Sequence, residues 1–326
     1  MNFQRLLHDS SLPILITTNS RCSKSLDSLV NWATDNLDLI DQYLYDSGVL
    51  LIRGFDVFSA KDFKLASATI SSNLRNYTGG DAPRFEVIDK VYTSTEYPKQ
   101  FEVMLHNELS YAGWSPDRVF FCCLVTSKSG GETQIADGRR IYNSIDPEVR
   151  DRFENNGITY LQHLWDKTGP SGAGISWQET FETECKATAE DYLYNSSMQF
   201  EWTDLGIRTA TTKPASRVHP MTEEKCWYNQ ADQWHRDMDS PKNLVSGTGK
   251  LVKNTTQGEQ TLGNHVCFGD GSPINTADLY HIREVSKNCE VVFSWQQGDI
   301  MVIDNILTMH GRKPFQGDRQ VLVAMA

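Results

Sequence analysis

The stretch IMVIDNILTMHGRKPFQGDRQVLVAMA, residues 300–326, contains two short apolar runs of the kind that form buried strands. His310 follows the first run, and Arg319 lies nine residues beyond it, entering the second. Similar runs rich in β-branched and aromatic residues recur upstream: EVIDKVYTS (86–94), QFEVMLH (100–106), RVFFCCLVTS (118–127) and EVVFSW (290–295). The strands are thus split between the N-terminal third and the C-terminal tail, so segments distant in sequence must pair. That arrangement predicts a mainly β chain with helices, a closed or double-sheet jelly-roll with a helical buttress.

The buttress falls in residues 1–47. Leu26, Leu29, Val30, Ala33, Leu37, Ile40 and Leu44 recur at helical spacing and Gly48 stops them. GVLLIRGF (48–55) then reads as a buried strand. Ser59 with Asp62 makes a weak capping arrangement for a helix through Phe63, Ala66, Ile70 and Leu74. A further helix has Asp146 as N-cap, Pro147 at its first position and Gly157 after its end. Residues 160–260 are rich in Thr, Ser and Gly with weak periodicity, which predicts irregular insertions or a lid. With no repeat and no linker, one domain over 1–326 is expected.

A net charge of -11 argues against a nucleic-acid surface and against anionic membrane. The N-terminus has no basic region ahead of its apolar stretch, and no run reaches the ~18–20 residues of a membrane span. Seven scattered cysteines without a CxxC pair suit reduced thiols in a cytoplasmic protein.

The chemistry concentrates on QFEVMLHNELSY (100–111), where His106 and Glu108 stand two apart. On a strand, that spacing puts both side chains on one face. With His310 as a third ligand they make a 2-His-1-carboxylate triad, which occupies one face of an octahedral ion and leaves three positions open. The pair alone is weak, but its neighbours strengthen it. Thr133 ends GGET, and the Arg319 guanidinium can grip a distal carboxylate with the Thr133 hydroxyl adding a hydrogen bond. A dicarboxylic 2-oxo acid held there could chelate the metal through its other end.

Blocks along the chain then resemble a known family: LLIRGF, YTGGDAPR, VYTSTEYP, LHNELSY, SGGETQIAD, CWYNQADQWH, GDGSPI and DNILTMHGRKPFQGDRQVLVAM. From about Gly48 to the C-terminus the sequence is similar to the taurine dioxygenase and clavaminate synthase superfamily, above all to its branch of syringomycin-pathway aspartyl hydroxylases. The resemblance implies a double-stranded β-helix of cupin type, Fe(II) at His106, Glu108 and His310, and 2-oxoglutarate at Thr133 and Arg319, with dioxygen as co-reactant. It implies hydroxylation of an amino acid, free or tethered to a carrier protein in natural-product assembly. Family members carry Asp or Glu at the carboxylate position. Halogenating relatives lack that carboxylate, so Glu108 argues against halogenation. Desaturation, cyclisation and epoxidation use the same machinery and stay open. A cupin-like binding protein or a zinc-occupied pseudoenzyme is the alternative of another class.

Trp227, Asn229 and Gln230 in CWYNQ, and Arg312, are candidate substrate contacts. Trp227 is equally compatible with the core, and a structural salt bridge is the commoner fate of a single arginine such as Arg312. The stretches Tyr77–Arg84 and Tyr92–Tyr97 are candidates for a loop over the pocket. A rival pair, His235 and Asp237, lacks a strand pattern and a following GGET, and reads as surface or loop polarity.

Overall fold

The computed structural model describes residues 1–7, 10–18, 23–82, 84–169, 175–238 and 264–326. Its central sheet has eight strands in the spatial order Asn2–Arg5, Ile14–Thr17, Val49–Arg53, Ile300–Asp304, Arg118–Val125, Gln320–Met325, Val91–Thr93 and Glu86–Ile88. A second sheet orders Val291–Phe293, Thr133–Asp137, Thr308–Arg312 and Val103–His106. Both sheets interleave strands from the two ends of the chain, the double-sheet construction of a jelly-roll.

The unbroken apolar runs follow from burial on both faces of the central sheet. Val49, Leu51, Val119, Phe121, Met301, Ile303, Val321 and Val323 turn inward and share one cluster with Leu105, Ile135, Val291 and Met309 of the second sheet. The alternating residues Leu50, Ile52, Phe120, Cys122, Ile300, Val302, Leu322 and Ala324 pack against Leu29, Ala33, Ile40, Leu44, Phe63 and Ala66 of the helices. Each Val, Leu, Ile, Met or Phe side chain among them contributes roughly 1.5–3 kcal/mol on burial.

The helices begin and end where local chemistry allows. Ser59 and Asp62 form a complete capping box ahead of Ala60–Ile70. Asp146 caps Pro147–Asn156 by accepting from the N–H groups of Glu148 and Val149. The expected helix over Leu26–Tyr45 is two helices, Leu26–Asp35 and Leu37–Ser47, because Asn36 at φ -133° leaves the helical region. Gly48 ends the second at φ +77°, and a Cβ there would collide with the Thr308 hydroxyl. This glycine lets the buttress sit directly on the strand that carries His310.

Two expectations need correction. Residues 1–47 are not only a helical buttress, since Asn2–Arg5 and Ile14–Thr17 extend the central sheet. Within 160–260, the part that is described is largely regular. Ile158–Trp165, Gln199–Thr203, Gly206–Lys213 and His265–Phe268 form a four-stranded sheet. The threonines that read as loop composition are strand residues there, since a branched Cβ suits a half-buried pleated surface. Residues 239–260 lie outside the described residues.

Candidate metal centre and its cavity

Strand pairing builds the centre. Thr308–Arg312 runs antiparallel to Val103–His106, and the register sets His310 opposite His106. Their ring centroids are 4.4 Å apart. Glu108 is not on the strand, contrary to the period-two reading, because the strand ends at His106 and Leu109 turns the chain at φ +54°. A buried clamp orients it instead. The Glu108 N–H donates to Asn305 Oδ1 at 2.7 Å, and Asn305 Nδ2 donates to the carbonyls of Glu108 and Pro116 at 3.0 and 2.9 Å. Asn107 Nδ2 donates back to the Asn305 carbonyl at 2.7 Å. Asn305→Ala is therefore expected to weaken iron binding about 10- to 100-fold, and to lower stability by about 1–3 kcal/mol as buried groups lose partners. Anaerobic iron titration and urea unfolding measure the two effects. Unchanged iron affinity would mean that the turn alone positions Glu108.

One ligand atom each from His106, Glu108 and His310 lies within 4.8 Å of the others. His106 Nδ1 sits 2.8 Å from the Met104 carbonyl, so it carries the proton and leaves the Nε2 lone pair for a metal. His310 Nε2 is 3.5 Å from Glu108 Oε2. Burial alone would raise the Glu108 carboxyl. The Arg84 guanidinium, helped by the His310 ring, holds it well below the usual carboxylate range. Two imidazoles and an ionised carboxylate converging on one point fit a divalent ion and leave the opposite side open to the cavity.

That cavity encloses about 850 Å³ including its mouth, within the range of a small-molecule site. Its wall includes all three of these residues together with Thr133 and Arg319. Trp295 Nε1 donates to Thr133 Oγ1 at 3.0 Å, so the hydroxyl hydrogen is free for another acceptor. Arg319 Nε donates to the Gly131 carbonyl at 3.0 Å. Gly131, at φ +76°, leaves room for this: a Cβ would lie 3.0 Å from Arg319 Cδ. Burial, then repulsion from Arg312, presses the Arg319 guanidinium down to about 10, so it stays charged at neutral pH. Among the described residues no carboxylate forms an ion pair with it.

The other sequence candidates divide. Gln230 and Arg312 line the cavity. Gln230 Nε2, however, is committed to the Asn107 carbonyl and to Ser110 Oγ. Arg312 makes no salt bridge among the described residues, contrary to the structural alternative. Its Nη1 and Nη2 donate instead to the carbonyls of Tyr97, Pro98 and Phe101 at 2.8–3.0 Å, stapling the loop beside the metal centre. Trp227 and Asn229 do not line the cavity. Trp227 packs edge-on against Phe153, and Asn229 Nδ2 donates to the Ala215 carbonyl. The apolar ring and the self-contained hydrogen bonds of that turn place both in the core. His235 is buried against His265 at 4.8 Å rather than at the surface, and Asp237 is exposed.

Sequence reasoning missed three groups: Asn305, Trp295 and Arg84. Arg84 closes the YTGGDAPR block, a candidate loop over the pocket in which the sequence singles out no one residue. Tyr77, Asp81 and Arg84, and Ser94, Thr95 and Tyr97, line the cavity from the two candidate loop stretches.

A double-sheet jelly-roll with this triad in its cavity defines an iron(II)- and 2-oxoglutarate-dependent dioxygenase. The family model described as "Taurine catabolism dioxygenase TauD, TfdA family" matches residues 12–325, and the chain belongs to that family. It is 33% identical over 288 residues to the dapdiamide synthesis protein DdaC of Enterobacter agglomerans, covering 88% of this chain and 84% of the relative. It is 32% identical over 298 residues to a clavaminate synthase-like protein of Arabidopsis thaliana, covering 88% and 83%. The crystal structure of AAD-2 with Mn(II) and N-oxalylglycine superposes with a TM-score of 0.55 at 12% identity, covering 100% of this chain and 96% of the other. No helix among the described residues is long and apolar enough to cross a membrane.

Proposed function

We propose that this dioxygenase hydroxylates an unactivated C–H bond of an amino acid, or of an amino-acid derivative free or carrier-tethered, in natural-product biosynthesis. In this reading His106, Glu108 and His310 hold the iron, and Arg319 with Thr133 holds the far carboxylate of 2-oxoglutarate. Iron(II) with 2-oxoglutarate and dioxygen supplies oxidation of the C–H bond, coupled to release of succinate and CO2. The residues of the chain contribute the rest. Arg319 offers a charged fork and Thr133 a directed hydroxyl, which fix the cosubstrate end-on. The Arg312-stapled loop and the Tyr77–Arg84 segment wall the cavity and limit water at the reacting carbon.

The observation that carries the reading is the placement of Arg319, with no carboxylate partner among the described residues, and a donor-ready Thr133 in the same cavity as the triad. A metal scaffold without a 2-oxo acid has no use for that pair. Similarity to a dapdiamide synthesis protein supports the natural-product setting.

Anaerobic protein given ferrous iron and 2-oxoglutarate should develop the weak visible charge-transfer band of a chelated 2-oxo acid. In air, succinate should rise above its uncoupled background with an amino-acid substrate, free or carrier-bound, and the product should gain one oxygen. Loss of two hydrogens would replace hydroxylation by desaturation or ring closure. Absence of both the band and succinate would sink the oxygenase reading.

A further inference from the structure

Three arginines line the cavity, and two have evident duties. Arg319 faces the cosubstrate end, and both terminal nitrogens of Arg312 are spent on backbone carbonyls. Arg84 differs from both. Its side chain is 5% exposed, its Nη2 donates to Glu108 Oε2 at 2.9 Å, and its guanidinium lies over the Tyr77 ring at 4.2 Å. Its Nε and Nη1 are buried with no hydrogen-bond partner among the described residues.

Leaving guanidinium N–H groups buried and unpaired is costly, so such atoms mark where an acceptor from outside the chain belongs. The position of Arg84 narrows what that acceptor is. It touches the carboxylate of an iron ligand, so a group bound to it lies next to the reaction centre. Once a divalent ion shares the Glu108 charge, the guanidinium is left short of negative charge. Asp81 lines the same cavity, its carboxylate accepting from the Tyr111 hydroxyl at 2.9 Å, and adds an opposite charge. A cation with open donors and an anion in one cavity suit the oxygen-bearing C1 and the ammonium of an amino-acid head group.

We propose that Arg84 is a specificity-determining residue that receives the C1 oxygens of the amino-acid substrate, holding them between Tyr77 and the iron-binding Glu108. The inference rests on the function proposed above. The C1 oxygens can belong to a free carboxylate or to the carbonyl of a carrier thioester, since a guanidinium donates to both. Which source applies is decided by experiment.

The protein is loaded anaerobically with iron(II) and saturating 2-oxoglutarate. It is then titrated with L-norvaline, its N-acetylcysteamine thioester, and butylamine, which lacks C1. Binding is read from the shift of the visible band and from the melting temperature, without turnover. Norvaline, the thioester or both should bind about 10- to 100-fold more tightly than butylamine, as charge-assisted hydrogen bonds allow. Arg84→Met should erase that ratio and Arg84→Lys should keep part of it. A band retained by the variants shows that they still fold and load. Dependence on Arg84 for norvaline alone assigns a free acid, and dependence for the thioester assigns a carrier-presented carbonyl. Equal binding of all three probes, no binding by any of them, or a ratio unchanged in Arg84→Met overturns the proposal. Failure of the band to form before any probe is added sinks the iron and 2-oxoglutarate reading instead, and the melting series still reads Arg84.

Discussion

Arg319→Gln is expected to weaken 2-oxoglutarate binding by thirty-fold to several thousand-fold while leaving iron affinity within a few-fold. Truncating one member of a buried, hydrogen-bonded charge pair costs about 2–5 kcal/mol, and each 1.4 kcal/mol is about a factor of ten. The upper part of that range is the more apt for this cavity. Arg319 is held by one bond to the Gly131 carbonyl and lies over the Phe315 ring at 5.6 Å, so its fork is already oriented before the anion arrives. Its charge is under strain from burial and from Arg312, and a dianion relieves both. Glutamine keeps some hydrogen bonding but no charge and no fork. Titrating 2-oxoglutarate into iron-loaded variant, followed by the visible band, measures the effect. Loss of iron and 2-oxoglutarate in equal measure would show that Arg319 supports the metal centre rather than the cosubstrate.

The contrast between Arg319 and Arg84 shows which parts of the site are legible in a sequence. Arg319 stands nine residues after His310, just ahead of the strand Gln320–Met325, so the short stretch between them limits their separation. Thr133 is similar, because the Thr133–Asp137 strand pairs with Thr308–Arg312 and sets Thr133 opposite Arg312. Arg84 reaches Glu108 from the stretch YTGGDAPR, whose sequence carries no periodic signal. Glu108 lines the cavity with the two histidines, but not for the reason its spacing suggests. Alternation along a strand does not reach it, and its aim comes from Asn305, a neighbour far along the chain.

Fold legibility follows the same division. The runs VLLIR, RVFFCCLV, IMVID and QVLVAM are apolar at every step because helices cover one face of the sheet and the second sheet covers the other. Strands covered on one face only leave a weaker trace. Gly206–Lys213 alternates buried and open positions with threonines on both, and that pattern reads as loop composition until its partners Gln199–Thr203 and Ile158–Trp165 are seen. Trp227 and Gln230 sit three residues apart in one block, yet only Gln230 lines the cavity. The block's order along the chain does not say which way its turn faces.

Glu108→Ala should have the largest effect, and it should be double. Removing the carboxylate leaves two histidines, so iron affinity is expected to fall by orders of magnitude and coupled turnover to disappear. The second effect appears with no metal present. In the metal-free protein Glu108 is the ion partner of Arg84, and both side chains are at most 5% exposed. Deleting one member of a buried pair strands the other charge, which typically costs about 3–5 kcal/mol. The space left by the Glu108 side chain admits water to the guanidinium, which brings the expected loss to the lower end, about 3 kcal/mol, in denaturant unfolding of the metal-free protein. The double variant Arg84→Met with Glu108→Ala removes the stranded charge, so it should recover most of that stability without recovering iron. His310→Ala is the control: it should lose iron and turnover while leaving the Arg84–Glu108 pair, and much of the stability, in place. If Glu108→Ala and His310→Ala unfolded at the same denaturant concentration, the ion pair would be contributing nothing, and Arg84 would have to be held in the cavity wall by Tyr77 alone.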